Sequence, residues 1–485
     1  MLLKRFYDEK LAQASYLVGC AATGEAMVVD PHRDAALFVE AADREGLRIT
    51  HVTETHIHAD FVSGARELAS ATGARLYLSD EGGADWKYAF AREANAVLLH
   101  NGDSFRVGNI KVDVIHTPGH TPEHLAFAIT DTASGAELPM GVFTGDFLFV
   151  GDVGRPDLLE KAAKVANTME TGARTLFRSL RDFGDRLPDW VQIWPGHGAG
   201  SACGKALGAV PSTTLGYEKR YNWGYSHDTE DAFVGAVLAG QPEPPMYFAQ
   251  MKRINKEGPP ILGGFKRPAR LQEARLEQLL EARTMVVDTR HYNAFAQGHV
   301  PGTINIPMGR DFTTWAGSMI PYGPEFYLIV DDDNADCLDQ AVRDLALIGL
   351  DKVAGYFGSE VVERWIERHA YQSEMIGEIS PDDLERQLAA GAVSLIDVRN
   401  SSEWEAGHIP GSLNFPLNRL VEHLGEVPTQ RPLVVHCRSG ARAEVAIGLL
   451  QASGFRRVMH LSGDMQRWEE TGRPVERGGR ASLAA

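Results

Sequence analysis

Four short clusters of histidine and aspartate recur in the N-terminal half of this 485-residue chain: Thr55-His56-Ile57-His58-Ala59-Asp60, Pro118-Gly119-His120, Thr144-Gly145-Asp146 and Pro195-Gly196-His197. Imidazole and carboxylate are borderline-to-hard donors that suit zinc or iron(II). An isolated histidine is ordinarily a hydrogen-bonded core or surface residue. Four clusters in succession, each behind an apolar run, argue instead for a metal centre. A second chemistry lies near the C-terminus, where His436-Cys437-Arg438-Ser439-Gly440-Ala441-Arg442 sits between the apolar run Leu433–Val435 and a helical stretch. Backbone N–H groups and a helix N-terminus at such a junction stabilise a thiolate and any anion bound to it. Arg438 and Arg442 add positive charge.

Two further segments carry reactive groups. Gly196 to Lys205 places Cys203 among small residues, six positions after His197. Small neighbours admit a substrate, and Lys205 could lower the thiol pKa; a buried, inert cysteine is the alternative. In Gly151-Asp152-Val153-Gly154-Arg155-Pro156-Asp157, Arg155 follows Asp146 by nine residues. Its fork could clamp a carboxylate, or it could form an internal salt bridge.

Strand-like runs at Ser15–Val18, Ala26–Val29, Ile49–Thr53, Ile110–His116, Gly141–Thr144 and Val191–Trp194 position the N-terminal clusters, with helical stretches at Ala35–Glu45 and Ser63–Thr72. Polar clusters at strand ends are where α/β folds put their sites. The Gly-, Pro- and basic-rich Lys252–Arg270 reads as a linker, and a second boundary is expected near Ser373–Ser380. The C-terminal half repeats: Val286–Met308 aligns with Leu395–Leu417, matching Asp288 with Asp397, Arg290 with Arg399, His299 with His408 and Pro307 with Pro416 at one constant offset. That implies duplicated small α/β domains with mainly parallel sheets. Counting back from Gly349 and Gly454 puts Asp332, in an acidic run, where the second copy has Cys437.

With 44% hydrophobic and 23% charged residues, the chain has the composition of a soluble globular protein. A net charge of −17 argues against a nucleic-acid partner. The four cysteines, Cys20, Cys203, Cys337 and Cys437, form no CxxC, which excludes a disulfide framework and a thiolate zinc site. No run is apolar enough to span a bilayer, and the N-terminus is charged where a signal peptide is apolar. A cytoplasmic protein without membrane partners is expected.

The order HxHxD, PGH, TGD, PGH resembles the metallo-β-lactamase fold over about the first 250 residues. That superfamily's first motif ends HxHxDH, but Phe61 stands where the last histidine, a second-metal ligand, would be. The chain looks most like the persulfide dioxygenases, mononuclear iron(II) enzymes with two histidines and one carboxylate. The resemblance implies one Fe(2+) per chain, held by His56, His120 and Asp146. It implies substrate contact by Arg155 and orienting roles for His58, Asp60 and His197 around the ligands. The strand–Cys437–helix loop, with Asp397-x-Arg399 and Gly407-His408 upstream, resembles the rhodaneses. Its C-x4-R spacing is one residue shorter than the tyrosine phosphatases' C-x5-R, short for phosphate and suited to sulfur. The Cys203 stretch resembles fusions of the two families.

The resulting expectation is an α/β protein: a metallo-β-lactamase αββα sandwich (1–255), an inactive rhodanese-like domain (265–370) and an active rhodanese domain (375–485). It would oxidise a low-molecular-weight persulfide with O2 to thiol and sulfite. Transfer through Cys437, with Arg438 and Arg442 at work, would yield thiosulfate, while Cys203 would lie near the iron pocket and take part in sulfur handling there. A homo-oligomer is expected. The alternatives are a glyoxalase II-like zinc thioesterase fused to a rhodanese, and a non-enzymatic sulfur-sensing scaffold.

Overall fold

The computed structural model describes residues 1–158, 168–241, 243–331, 336–369 and 373–479. The chain divides into two compact units, Met1–Phe265 with Ala346–Gly349, and Lys266–Leu345 with Leu350–Ala485.

Two six-stranded sheets build the first unit. One runs in sequence order through β1 (Leu2–Asp8), β2 (Gln13–Cys20), β3 (Glu25–Val29), β4 (Arg48–Thr53), β5 (Arg75–Ser79) and β6 (Val97–Leu99). The other comprises β7 (Ser104–Val107), β8 (Ile110–His116), β9 (Leu125–Asp131), β10 (Gly141–Gly145), β11 (Gln192–Pro195) and β12 (Thr213–Thr214), in the order β12-β11-β10-β9-β8-β7. Alternation along the strands sends Tyr16, Val18, Val29, Val112, Val114, Phe127, Phe143 and Trp194 into one core shared by both sheets. The outer faces are covered by helices. Phe38, Ala41 and Ala42, at helical spacing, bury one side of Ala35–Arg44 on the first sheet. Met169–Arg186 buries Ala173, Leu176, Leu180 and Phe183 on the second. The result is the αββα sandwich the sequence implied.

Part of the expected linker is a helix. Phe248–Glu257 belongs to the first unit and buries Phe248, Met251 and Asn255. Glycine and proline begin only at Gly258, which ends that helix with φ 102°, so composition signalled the break six residues early.

The second unit holds two parallel sheets. One has β13 (Val286–Asp288), β14 (Ile304–Asn305), β15 (Phe326–Val330) and β16 (Val353–Gly358), ordered β14-β13-β15-β16. The other has β17 (Gly377–Ile379), β18 (Ser394–Asp397), β19 (Leu413–Asn414), β20 (Leu433–His436) and β21 (Val458–Leu461), ordered β17-β21-β20-β18-β19. The duplication holds at atomic level. Arg290 grips Asp288 and the Gly298 carbonyl as Arg399 grips Asp397 and the Gly407 carbonyl. Asn305 and Asn414 each bond two backbone carbonyls of these arginine turns.

Strand register corrects one assignment. Asp288 pairs with Ile329, and Asp397 with His436. Val330, not Asp332, therefore occupies the position of Cys437. Counting back from the glycines fails because the loop behind β15 is two residues longer than the one behind β20. Asp332 itself lies outside the described residues.

Candidate functional site

β4 ends at Thr53, and the chain then enters the HxHxD loop, whose geometry is set by Asp30 at the end of β3. Asp30 is buried with φ 50°, a backbone conformation that few residues other than glycine adopt. Its carboxylate accepts from Thr55 N (2.7 Å) and Thr55 Oγ1 (2.9 Å) and lies 3.2 Å from His58 Nε2. Thr55 Oγ1 is in turn 3.0 Å from His56 Nδ1. Behind the loop, Glu123 accepts from Ile57 N (2.8 Å). Asn255 donates to the carbonyls of His58 and Phe61 (2.8 and 2.7 Å) and accepts from Ser63 N (2.9 Å). Asp30, Glu123 and Asn255 escaped the sequence reading because each lies far along the chain from the motif it holds; nothing local marks them.

His56, His120 and Asp146 converge, with one donor atom from each within 4.8 Å of the others. His56 Nε2 and His120 Nε2 lie 3.9 and 3.6 Å from Asp146 Oδ2. The opposite ring nitrogen of His120 bonds the Arg155 carbonyl at 3.0 Å. Burial holds both imidazoles below their ordinary pKa, and for His56 the surrounding histidines add to this. They are therefore neutral, the form that binds a metal. Both Asp146 carboxylate oxygens are buried with no hydrogen-bond partner among the described residues. Such atoms are costly unless something takes their lone pairs. Two neutral imidazoles and an unsatisfied carboxylate fit one divalent transition metal.

The glycines make this approach possible. Gly145 has φ 47°, and a Cβ there would meet Thr55 Oγ1 at 2.4 Å. A Cβ on Gly154 would fall 1.8 Å from the Asp146 carbonyl.

The flanking histidines are occupied elsewhere: His124 Nε2 accepts from Asp146 N (3.1 Å), and His116 Nε2 bonds the Pro122 carbonyl (2.8 Å). His58 faces Asp30. His197 Nε2 lies 3.2 Å from Asp60 and 3.3 Å from Asp146, while its Nδ1 bonds the Ala12 carbonyl (2.9 Å). Asp60, His197 and Cys203 form a second buried group of donors within 4.8 Å of one another. Phe61 is fully buried, its ring 4.5 Å from that of His58.

Two expectations change in this region. Arg155 is fully buried and its fork is filled: Nε and Nη2 donate to Asp157 (2.8 and 2.7 Å), and Nη1 donates to the Ala202 carbonyl (2.9 Å). It holds the backbone in front of Cys203 and offers no open face to a substrate. Lys205 does not activate Cys203. Its ammonium bonds the Ala236 carbonyl (2.6 Å) and covers the Trp223 ring. Burial, with Asp146 and Asp60 nearby, pushes the Cys203 thiol up to about 12. Asp152 pins the same segment, accepting from the amides of Lys205 and Ala206.

In the second unit Cys437 is buried directly behind β20, with Gly440 N donating to its Sγ at 3.2 Å. Gly440, at φ 113°, turns the loop into the helix Ala441–Ala452. Burial first and Asp464 second push the Cys437 thiol up to about 11. The two loop arginines carry carboxylate partners: Arg438 pairs with Glu469 (2.5 Å), and Arg442 donates twice to Glu403 (2.6 and 3.0 Å). Their charge reaches the sulfur already compensated.

Residues 9–197 match the family profile of the metallo-beta-lactamase superfamily, and residues 272–359 and 380–471 each match that of the rhodanese-like domain. The mitochondrial persulfide dioxygenase ETHE1 of Mus musculus is 30% identical over 203 residues, which is 41% of this chain and 68% of the mouse protein. The N-terminal part of the chain belongs to the persulfide dioxygenase family of the metallo-beta-lactamase superfamily, and two rhodanese-like domains are fused behind it. A sulfurtransferase of Allochromatium vinosum is 35% identical to the fusion protein over 102 residues, 21% of this chain and 95% of that one. A solved structure described as a metallo-beta-lactamase from Staphylococcus aureus subsp. aureus COL is similar with a TM-score of 0.66 and 43% identity, over 74% of this chain and 99% of the other. Hydroxyacylglutathione hydrolases also match part of the fusion protein. No described helix is long and apolar enough to cross a membrane.

Proposed function

We propose that the protein is a two-site enzyme of sulfane sulfur. One site oxidises a low-molecular-weight thiol persulfide, and the other transfers sulfur through Cys437. The observation that carries the first half is the His56–His120–Asp146 cluster with its unsatisfied carboxylate, beside a Phe61 that supplies no ligand. The balanced reaction is R–S–SH + O2 + H2O → R–SH + sulfite + 2 H+. His56, His120 and Asp146 would hold one iron(II), which when bound supplies the one-electron chemistry that lets triplet dioxygen react with a closed-shell persulfide. Asp30, through Thr55, orients His56, and the Arg155 carbonyl orients His120. His58 and Asp60 complete the wall, His197 braces Asp146, and buried Phe61 keeps water from its side. Cys203, grouped with Asp60 and His197 beside this site, is read as the residue that would handle sulfur there.

At the second site the Cys437 thiolate attacks the outer sulfur of a persulfide. The S–S bond of the donor breaks, R–S− leaves, and Cys437 carries the sulfur. Attack by sulfite on that outer sulfur then gives thiosulfate and restores the thiolate. Loop N–H groups such as that of Gly440 stabilise the charged sulfur. The two sites together would remove reactive persulfide and trap the sulfite. The 265–370 copy, with Val330 at the cysteine position, is read as structural.

The test separates the sites. Cys437→Ser should abolish sulfur transfer and leave persulfide-dependent O2 uptake intact, and His56→Ala should do the reverse. A hydrolase with two zincs per chain and thioester turnover would replace the first half of the proposal.

A further inference from the structure

The loop that carries Cys437 is held from outside its own motif, by the turn that follows β21. Cys437 N donates to Asp464 Oδ1 at 2.6 Å. In return, Met465 N donates to the Cys437 carbonyl and Gln466 N to the Arg438 carbonyl, both at 3.2 Å. Both peptide units flanking the reactive cysteine are thus fixed by three consecutive residues at the start of the helix Asp464–Glu470. Asp464 Oδ2 lies 2.9 Å from His460 Nε2, and His460 Nδ1 is 3.6 Å from Glu444 on the helix behind the loop.

Two observations set this arrangement apart from ordinary capping. Asp464 is buried with φ 54°, in the left-handed region that disfavours side chains. A glycine would sit there without strain, so the carboxylate is retained against a local cost. The duplicated domain supplies a comparison within the same chain. By strand register, Tyr356 on β16 corresponds to His460, and Glu360, the first residue of the next helix, corresponds to Asp464. Glu360 bonds Arg270 instead and has no positive φ. The copy with Val330 at the cysteine position therefore lacks the His–Asp pair, and the copy with Cys437 has it.

We propose that Asp464 and His460 are positioning residues for sulfur transfer: Asp464 locks the Cys437 peptide so that the loop N–H groups face the sulfur, and His460 locks and charge-compensates Asp464. This rests on reading Cys437 as the sulfur carrier. A persulfide anion on Cys437 needs fixed donors around it, and an uncompensated carboxylate bonded to that cysteine's own amide would repel it. His460 faces Asp464 first, then Glu444 and Glu378, and these acids raise its pKa above the ordinary value although burial opposes them. The imidazolium thus offsets the carboxylate beside Cys437, while Arg442, on the helix behind, is engaged by Glu403.

The experiment measures two quantities on the full chain: sulfur transfer from thiosulfate, and the pH profile of Cys437 alkylation by iodoacetamide. His460→Ala should slow transfer at neutral pH by about tenfold or more and move the alkylation profile upward by about one pH unit, as an uncompensated carboxylate requires. Asp464→Asn keeps an acceptor for Cys437 N and removes the charge. It should transfer within about threefold of the parent, with the profile moved downward. Asp464→Gly relieves the backbone and frees the loop, and should lose about tenfold or more in kcat. Hydrogen exchange with mass spectrometry on peptides of the second unit, away from the Cys437 loop, reports that this unit is folded in each preparation. Parent-like transfer in His460→Ala and Asp464→Gly overturns the proposal. So does equal loss in all three with an unmoved alkylation profile, which marks a merely structural role. Transfer surviving Cys437→Ser would instead overturn the underlying reading of Cys437.

Discussion

Replacing Arg155 by methionine distinguishes an internal brace from a substrate clamp. Methionine keeps most of the apolar stem and deletes the guanidinium. At least three hydrogen bonds go with it, two to Asp157 and one to the Ala202 carbonyl. Both partners of the ion pair are fully buried, so solvent does not soften the loss. Removing one side of such a pair costs about 3–5 kcal/mol, because the other charge stays behind in a medium that cannot solvate it. That is a large part of the roughly 5–15 kcal/mol that holds a domain. Arg155→Met/Asp157→Leu removes both charges of the pair and should recover part of the stability. A chain of several domains has no single two-state transition, so the assay is hydrogen exchange with mass spectrometry on peptides spanning 146–158 and 196–210. Protection in both should fall in the single variant and return in part in the double. Metal content should fall with it, since the Arg155 carbonyl holds His120. Unchanged protection with a KM for persulfide raised about tenfold or more at constant kcat would refute the reasoning and restore Arg155 to the substrate.

The other expectations follow from the same geometry. His120→Ala or Asp146→Asn should lower iron from about one per chain to near zero, because a three-ligand site loses a third of its donors; elemental analysis after purification from iron-replete medium decides it. Gly154→Ala should cost metal and stability together, as its new Cβ cannot coexist with the Asp146 carbonyl 1.8 Å away; melting and metal content are the readouts. Cys437 alkylation should climb about tenfold per pH unit until the pH nears its raised pKa of about 11. Because the folded state holds that proton more tightly than the unfolded chain, Cys437 is stabilising below pH 9 and loses its contribution as pH rises toward 11. Cys437→Ala should therefore flatten the alkaline part of the stability profile of the second unit, read by hydrogen exchange on its peptides.

How much was written in the sequence depends on range along the chain. Strand β8 was readable to the residue, because an alternating apolar run between turn residues is a local signal. The four metal-site clusters and the Cys437 loop were readable too, since each reactive group sits inside a short motif behind a strand. The duplication was visible because one offset relates several matched residues. Tertiary structure alone decided what those residues touch. Arg155 looked open to a substrate until Asp157 and the Ala202 carbonyl were found in its fork. Lys205, two residues from Cys203, turns to Trp223. Asp332 yielded the cysteine position to Val330, because strand hydrogen bonds define register and loop length does not. Asp30, Asn255 and Asp464 carry no motif of their own. They act on residues 25, 197 and 27 positions away, and a hydrogen bond across such a distance is set by how sheets and helices pack, which local pattern does not encode.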